Sequence, residues 1–439
     1  MKMKTIEGSV VAPKGFLTGG VFCDIKKLGT GKGSDKGQKR DLALIVSEVP
    51  ATVAGLYTTN QVCAAPVKVC LARMKKGVGQ AIVVNSGNAN ACTGKQGMKD
   101  AEAMAQTAGG ELNIAPSTIF VASTGRIGVT MPMENVKRGI LAAAKVLGNS
   151  VEHAAHSAEA IMTSDSRPKQ VAVEFALDGK TVRIGGMCKG AGMIQPGMSP
   201  TGHRPAAMPL HATMLGFVTT DAAVDVKVLQ AALNEAVAQS FNRITVDGDM
   251  STNDTVLVLA NGLAGNEKLK IKNEKLKMFQ TALNHVCLEL AKMIVRDGEG
   301  VHRIVTVRVD GAKTVADADA AARAVGNSPL VKTSWHGGDP NWGRIIDAIG
   351  YSQAHVVEEK VDLGYSAPGS KKILWSLKRG QPATATFKEL CTAVAPKEFD
   401  LHIRLNLGKA SAVIYAADLT EDYVSYNKGD VGDPTSLGG

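Results

Sequence analysis

The sequence is poor in aromatic residues, paired cysteines and long apolar runs, and each shortage excludes a class of protein. Of its 439 residues, 4% are aromatic, and no apolar run approaches the roughly 20 residues that a bilayer-spanning helix needs. The seven cysteines form an odd set without a CxxC pair, which indicates reduced, mostly buried thiols. The start, MKMKTIEGSVVAPKGF, has no apolar core of a signal peptide. We therefore expect a cytoplasmic protein with no membrane segment.

Positive charge is in small excess and unevenly spread. Lys and Arg number 50 against 41 Asp and Glu, a formal net charge of +9. Much of the excess lies in residues 25–40, a Gly-rich polar stretch that is typical of a solvated loop. Because no aromatic residues interleave with these lysines, the charge gives little support to nucleic-acid binding. We expect no nucleic-acid partner.

Apolar, β-branched runs alternate with helical patterns along the chain. The alternation predicts strands at 41–49, 80–87, 117–125, 170–186, 254–262, 303–311, 401–408 and 411–419. The fourth is a hairpin that turns at Asp178-Gly179. Helical spacing predicts helices over 134–147, 152–162, 223–240, 276–295 and 315–325. Thr219, Thr220 and Asp221 are candidate caps for the helix at 223. Because hairpins are frequent, mixed sheets packed by helices fit better than a purely parallel sheet.

Several motif-like segments fail on spacing. VDGDMSTND (246–254) has the alternating acceptors of a calcium loop, but Thr252 stands where that loop requires glycine. His153 and His156 have a helical spacing without an apparent third ligand. The segment 334–352, with two tryptophans and several glycines, is better explained by packing than by substrate contact. We expect no metal site.

Two short segments carry candidate chemistry. VASTGRIG (121–128) ends an apolar strand in Ser-Thr-Gly, a hydroxyl and backbone N–H groups suited to stabilising an oxyanion. In HATMLGFVTTDA (211–222), Thr213 follows Ala212 and a Pro-rich loop. Its hydroxyl can attack the Ala212 carbonyl, and cleavage would leave Thr213 with its own α-amine as base. Threonine is also common in strands, so the residues alone leave both interpretations of Thr213 open.

Longer runs occur together and in order: DLALIVSEVPATVAGLYTTNQVCAAPV, VVNSGNANACTG, VASTGRIGV, AIMTSDSRPK, CKGAGMI, ATMLGFVTTDA, SFNRITVDGDMSTNDTV, IVRDGEG and GGDPNWGRIIDAIGYS. In these runs the sequence resembles the ornithine acetyltransferase family, the glutamate N-acetyltransferases of arginine biosynthesis. The resemblance extends from about Val10 to Tyr423. One such run would be weak evidence for the resemblance, whereas this many runs in the order in which the family has them are specific evidence.

The resemblance implies an α/β (α+β) architecture of mixed β-sheets packed by helices, the DmpA/ArgJ-like fold, self-cleaved into two chains. The cut would lie between Ala212 and Thr213, giving an alpha fragment 1–212 and a beta fragment 213–439 that pair as a heterotetramer. The freed Thr213 would take the acetyl group from N2-acetyl-L-ornithine and pass it to L-glutamate. No cofactor is implied, and acetyl-CoA is a further co-substrate only in bifunctional members.

The resemblance also implies the site residues. The oxyanion donors are Thr124 and Gly125, and the substrate-binding residues are Thr163, Lys189, Thr213, Glu299 and Asn427. Of these, Glu299 suits an α-ammonium group and Lys189 a carboxylate.

The chain departs from the family pattern in an extra loop before Ala212, in Gly300–Arg303 and beyond Asn427. We expect the extra loop to affect the rate of self-cleavage or to cover the site as a lid. The other two departures concern the acceptor preference more than acyl transfer itself. Two other hypotheses share features with the first. A related N-terminal-nucleophile aminopeptidase or amidohydrolase would cleave itself in the same way and use water as the acceptor. A non-catalytic binding protein would remain uncleaved.

Overall fold

The computed structural model describes residues 3–26, 39–203, 214–270 and 275–428. Ala212 and Thr213, most of the extra loop before them and the divergent end of the chain lie outside the described residues. Two mixed β-sheets with helices packed against them make up the described part of the chain. The predicted fold class of mixed sheets packed by helices is confirmed.

The first sheet has, as far as the chain is described, nine strands in the order β1-β6-β7-β8-β10-β3-β4-β5, with β2 paired to β3. Its pairs β4/β5 and β8/β10 are parallel and the others antiparallel. The strands are β1 Met3–Ile6, β2 Phe16–Val21, β3 Leu42–Tyr57, β4 Val78–Asn88, β5 Ile119–Arg126, β6 Lys169–Leu177, β7 Lys180–Lys189, β8 Leu215–Thr220 and β10 Thr255–Ala260.

The second sheet has, within the same described ranges, seven strands in the order β14-β13-β12-β15-β11-β16-β9. These strands are β9 Ile244–Thr245, β11 Ile304–Ala312, β12 Asp362–Ser366, β13 Leu374–Lys378, β14 Gln381–Pro382, β15 Glu398–Arg404 and β16 Ala410–Ala417. The pairs β11/β15 and β16/β9 are parallel.

Helices lie between the strands. They are α1 Ala65–Met74, α2 Gly94–Leu112, α3 Met133–Lys145, α4 Val151–Ala160, α5 Val226–Ala238, α6 Leu276–Arg296, α7 Val315–Asn327, α8 Pro329–Gly337, α9 Trp342–Gly350, α10 Phe387–Val394 and α11 Glu421–Tyr426. None of these helices, which cover the described residues only, combines the length and apolar composition needed to cross a membrane.

Strand β3 joins two parts of the first sheet. Its residues 42–46 pair with β2 and β4, its residues 52–57 pair with β10, and the register against β4 shifts between Val46 and Ala51. Alternate residues of β10 enter different cores: Leu257 packs with the residues around α1 to α4, and Val256 packs with α5 and α6. The alternation of side chains in a strand produces this two-sided burial.

The predicted hairpin is confirmed. Strands β6 and β7 pair over their whole length and meet at Asp178 and Gly179, which have φ values of +55° and +71°. Positive φ at both turn positions is the geometry that matches the twist of two antiparallel strands. The predicted packing role of segment 334–352 is also supported, because Trp335 is 2% exposed in the core of the second sheet.

Two local predictions need correction, the helix cap as a whole and one strand in its bounds. Thr219 and Thr220 do not cap a helix, because they belong to β8; the helix begins at Val226, and Asp225 accepts the backbone N–H of Lys227. The strand predicted at 401–408 spans Glu398–Arg404 instead. In both cases strand pairing with distant residues outweighs the local signal.

Candidate active site

Thr124 and Gly125 lie near the end of β5, where it runs parallel to β4. Thr124 is 2% exposed. Gly125 has a φ of +129°, and a Cβ added to it would lie 2.3 Å from the backbone carbonyl carbon of Gly87. Glycine alone tolerates both the positive φ and this approach. The two strands therefore bring their backbones together beside the Thr124 hydroxyl.

Lys189, the last residue of β7, reaches Thr124 from another part of the same sheet. The two strands are five steps apart in the pairing order, yet Nζ of Lys189 donates a hydrogen bond of 3.3 Å to Oγ1 of Thr124. The sheet must therefore curve back on itself. Because an ammonium group only donates, the Thr124 oxygen accepts here and its own O–H can donate to a different acceptor. Burial, opposed mainly by attraction to Asp165, lowers the pKa of Lys189.

Asp165 holds two of the predicted residues in place. Its carboxylate accepts the backbone N–H of Thr163 at 3.0 Å and that of Gly190 at 2.7 Å. Its Oδ2 lies 4.0 Å from Nζ of Lys189. Burial opposes ionisation, but attraction to Lys169 and Lys189 outweighs it and holds the pKa of Asp165 well below its usual range. Asp165 is not among the site residues predicted from the sequence.

Lys169 is a buried lysine between two carboxylates. Its Nζ lies 2.5 Å from Oδ1 of Asp165 and 2.5 Å from Oδ2 of Asp297. The backbone N–H of Ser166 donates to Asp297 at 3.1 Å, and so does the Ser166 hydroxyl. Burial would lower the pKa of Lys169, but the two carboxylates outweigh it and raise the pKa. Lys169 was also missed, and its only signal in the sequence is its place in the run AIMTSDSRPK.

Glu299 forms a second part of the site. Its backbone N–H donates to the carbonyl of Ala191 at 2.9 Å. Its carboxylate packs over Gly192, where an added Cβ would lie 2.4 Å from the carboxyl carbon. Nδ2 of Asn427 donates to Oε2 of Glu299 at 3.0 Å. Because Ala191 and Gly192 directly follow the Lys189 segment, the site has a carboxylate and an ammonium group that suit the two charges of an amino acid.

The C-terminal helix α11 brings Asn427 to this position. The Tyr426 hydroxyl donates to the carbonyl of Ser164 at 2.9 Å. One turn earlier in the helix, Nε2 of His302 lies 2.7 Å from Oδ2 of Asp422. The segment that departs from the family pattern after Glu299 thus contacts the helix that carries Asn427.

The segment with calcium-like spacing supports the site through its last two residues. Nδ2 of Asn253 donates to the carbonyl of Ser123 at 2.8 Å. The fully buried Asp254 accepts the backbone N–H of Met214, the residue after Thr213. Burial raises the pKa of Asp254 well above its usual value. Among the described residues, Oδ2 of Asp254 has no hydrogen-bond partner. Neither residue was identified from the sequence as part of a site.

The first acidic residue of that segment also has a structural role. Asp247 accepts the backbone N–H groups of Met193 at 2.7 Å and Ile194 at 2.8 Å. In the ranges that the structure describes, no group of three or more His, Cys, Asp or Glu side chains is placed to hold a metal ion.

The described residues thus bring Thr124 and Lys189 into direct contact, with Thr163 linked to them through Asp165. Glu299 and Asn427 form a neighbouring pair. The cleavage residues Ala212 and Thr213 are outside the description. What the arrangement offers chemically is a hydroxyl donor for an oxyanion beside two opposite charges for a zwitterionic substrate.

Comparisons with known proteins identify relatives over nearly the whole chain. A model of the ArgJ family matches residues 25–429. The chain is 48% identical over 425 residues to the arginine biosynthesis bifunctional protein ArgJ of Symbiobacterium thermophilum, covering 97% of this chain and 99% of that protein. It is 43% identical over 432 residues to the glutamate N-acetyltransferase of Methanocaldococcus jannaschii, covering 97% and 99%. The crystal structure of ornithine acetyltransferase complexed with ornithine from Mycobacterium tuberculosis is 35% identical, with a TM-score of 0.41 over 45% of this chain and 100% of that one.

Proposed function

The chain belongs to the ArgJ family and is an acetyltransferase, and we propose that it transfers the acetyl group of N2-acetyl-L-ornithine to L-glutamate in arginine biosynthesis. The family match over residues 25–429 carries this proposal. The contact between Lys189 and Thr124 supports it, because acyl transfer needs hydrogen-bond donors where the oxyanion develops.

In this proposal the chain first cleaves itself into fragments 1–212 and 213–439. The Thr213 hydroxyl attacks the Ala212 carbonyl, the peptide C–N bond breaks, and water hydrolyses the resulting ester. The α-amine released on Thr213 is then the base nearest to the hydroxyl. The hydrogen bond from the Met214 N–H to Asp254 supports this assignment, since it anchors the residue next to the nucleophile.

Acetyl transfer then takes two steps on the same hydroxyl. Thr213 Oγ attacks the acetyl carbonyl, its α-amine accepts the proton, and the C–N bond breaks as that proton passes to the leaving amine of ornithine. The amine of glutamate next attacks the acetyl ester, the C–O bond breaks, and the proton returns to the Thr213 oxygen. Thr124 and Gly125 donate to the oxyanion in both steps.

Substrate binding uses the remaining site residues. Glu299 binds the α-ammonium group that ornithine has when it leaves and glutamate has when it enters, and Lys189 binds the carboxylate, with Thr163 and Asn427 beside them. Both charges are held in place by other groups, Lys189 by Asp165 at 4.0 Å and Glu299 by Asn427 at 3.0 Å. Two charged groups held in fixed positions suit a site that must bind ornithine and glutamate in turn, because both amino acids have the same α-ammonium and carboxylate groups.

Incubating the protein with N-acetylornithine, with and without glutamate, tests the reaction. We expect N-acetylglutamate to form only with glutamate present. On a denaturing gel, the unaltered protein should give two fragments and Thr213→Ala one full-length species with no transfer. Thr213→Ser should retain part of both activities, because it keeps the hydroxyl.

Other outcomes would contradict the proposal. Acetate release that needs no amino-acid acceptor would indicate the related amidohydrolase, with water as the acceptor. An uncleaved but fully active Thr213→Ala protein would exclude Thr213 as the nucleophile.

We further propose a cytoplasmic assembly of two alpha and two beta fragments. A native mass measurement of the processed protein tests the heterotetramer. An assay of transfer from acetyl-CoA to glutamate tests whether the enzyme is bifunctional.

A further inference from the structure

The charged cluster of Asp165, Lys169 and Asp297 does not touch the reacting groups that the mechanism uses, yet it is almost completely buried. Lys169 is 1% exposed, Asp165 3% and Asp297 8%. Taking three charges out of water is costly unless each is closely paired. Here Lys169 lies 2.5 Å from each of the two carboxylates, so the cluster is paired.

The charges of this cluster balance only when Lys189 is included. The two carboxylates face two ammonium groups, since Lys189 lies 4.0 Å from Asp165. Lys189 in turn donates to Thr124. The cluster is therefore continuous with the residues that the proposed function places around the oxyanion.

The other end of the cluster leads to Glu299. Asp297 follows the last residue of α6 and stands two positions before Glu299. It also accepts two hydrogen bonds from Ser166, one of them from the backbone N–H at 3.1 Å. The cluster thus joins the Lys189 segment to the Glu299 segment by direct contacts.

These two segments belong to different parts of the chain. Asp165, Lys169 and Lys189 precede residue 212, whereas Asp297 and Glu299 follow residue 213. After the proposed cleavage, the ammonium group of Lys169 would be a charged link between the two fragments at the site.

From these contacts we propose that Lys169 is a positioning residue, which through Asp165 and Asp297 sets the separation between Lys189 and Glu299 and so the fit of the amino-acid substrate. This inference rests on the proposed function for its substrate. A shift of about 1 Å between two binding groups is enough to cost a large factor in activity. Losing the link should raise KM more than it lowers kcat, because Thr124 and the nucleophile are left in place.

Lys169→Met tests the link, because methionine keeps most of the length of the side chain and removes the charged end. We expect KM for N-acetylornithine and for glutamate to rise at least about tenfold, with kcat within about threefold. Amide hydrogen exchange should become faster at Thr163, Gly190 and Glu299, whose N–H groups the cluster holds directly or through a neighbour.

A double variant separates positioning from simple charge imbalance. Lys169→Met with Asp297→Asn leaves Lys189 and Asp165 as a balanced pair, so we expect thermal stability to recover while KM stays raised. Recovery of KM together with stability would overturn the inference, because the single variant would then act only through an unpaired charge.

A buried ion pair away from the site provides the control. Arg323 is 8% exposed and lies 2.8 Å from Asp319. Arg323→Met should lower thermal stability without changing either KM or the exchange at Gly190. If Lys169→Met behaves in the same way, the positioning role is wrong. If the unaltered protein transfers no acetyl group, the proposed function fails, and the exchange pattern alone decides whether Lys169 positions the two segments.

Discussion

The site has two walls that differ in burial and in the way their charges are held. The inner wall consists of Thr124, Asp165, Lys169 and Lys189, and each of these residues is at most 3% exposed. The outer wall consists of Glu299, Tyr426 and Asn427; Glu299 is half-buried, and Asn427 is exposed. Carboxylates fix the inner wall, whereas single hydrogen bonds hold the outer wall.

This difference predicts a division of labour. Electrostatic interactions in a buried, low-dielectric region are strong and need no reorganisation during the reaction. Interactions near solvent are weaker, because water and salt screen them. Changes at Thr124 and Asp165 should therefore act mainly on kcat or on the pH profile. Changes in the outer wall should act mainly on KM, and so should a change at Lys169, which links the two walls through Asp297.

The largest effect is expected for Thr124→Val. Valine matches the shape of threonine but removes the hydroxyl that we propose donates to the oxyanion, so kcat should fall by about 10²–10³. Steady-state kinetics with both substrates measure the change. Thr219→Val provides a matched control, because Thr219 is equally buried in the same sheet and bonds the carbonyl of Val10 instead. A loss of similar size in both variants would show that the effect comes from folding.

The second largest effect concerns the pH profile. In the proposed mechanism Lys189 binds a carboxylate, which requires the protonated ammonium form, and burial already lowers the pKa of Lys189. Asp165 opposes that shift, so Asp165→Asn should lower the pKa further and move the alkaline loss of kcat/KM to lower pH. Profiles of kcat/KM for glutamate, measured from neutral to alkaline pH, test the direction of this shift.

The control for the pH profile is Asp400→Asn. Asp400 is 1% exposed in the second sheet and pairs with Arg308 at 2.8 Å. Removing the Asp400 charge should leave the alkaline loss of kcat/KM at the same pH as in the unaltered protein. An unmoved alkaline loss in Asp165→Asn would contradict the electrostatic coupling between Asp165 and Lys189.

The inner wall was only partly predictable from the sequence. Thr124 and Gly125 ended a recognisable strand, and Lys189 was assigned through the family resemblance. Lys169, in contrast, is a charged residue directly after a proline, a context typical of the protein surface. Its burial depends on Asp297, which is 128 positions away. Local patterns carry no information about such a distant partner.

The same limit applies to secondary structure. The hairpin at Asp178-Gly179 was predicted, because alternation and turn residues are local signals. Helix α2 was not, since glycines make its sequence a poor helix former. Gly97 in that helix is required by packing: an added Cβ would lie 2.4 Å from Oδ1 of Asn90. Tertiary contacts thus outweigh the helix propensity.

An intermediate effect is expected for Glu299→Gln in the outer wall. Glutamine keeps the acceptor for Asn427 but removes the charge that we propose binds the α-ammonium group of glutamate, so KM for glutamate should rise about tenfold with little change in kcat. Glu398→Gln is the control, because Glu398, on β15, accepts two hydrogen bonds of 2.9 Å and 3.0 Å from Arg296. A fall in kcat as large as the rise in KM would place Glu299 in the chemical step.

The smallest effect is expected for Asn427→Ala. It removes one exposed hydrogen bond of 3.0 Å to Glu299, a contact whose loss should raise KM about two- to threefold. Asn284→Ala removes a comparable bond, 3.1 Å to Glu235, on α6 and should leave KM unchanged.

Asn427→Asp sharpens the same test. It would place a second carboxylate beside Glu299. Repulsion between the two like charges would push the Glu299 carboxylate out of its position, so that it binds an ammonium group less well. We expect a larger rise in KM than for Asn427→Ala, and this excess should shrink at high salt because the position is exposed. An excess that salt does not alter would mean that the outer wall is closed to solvent when substrate binds, and the contrast between the two walls would then hold only for the empty site.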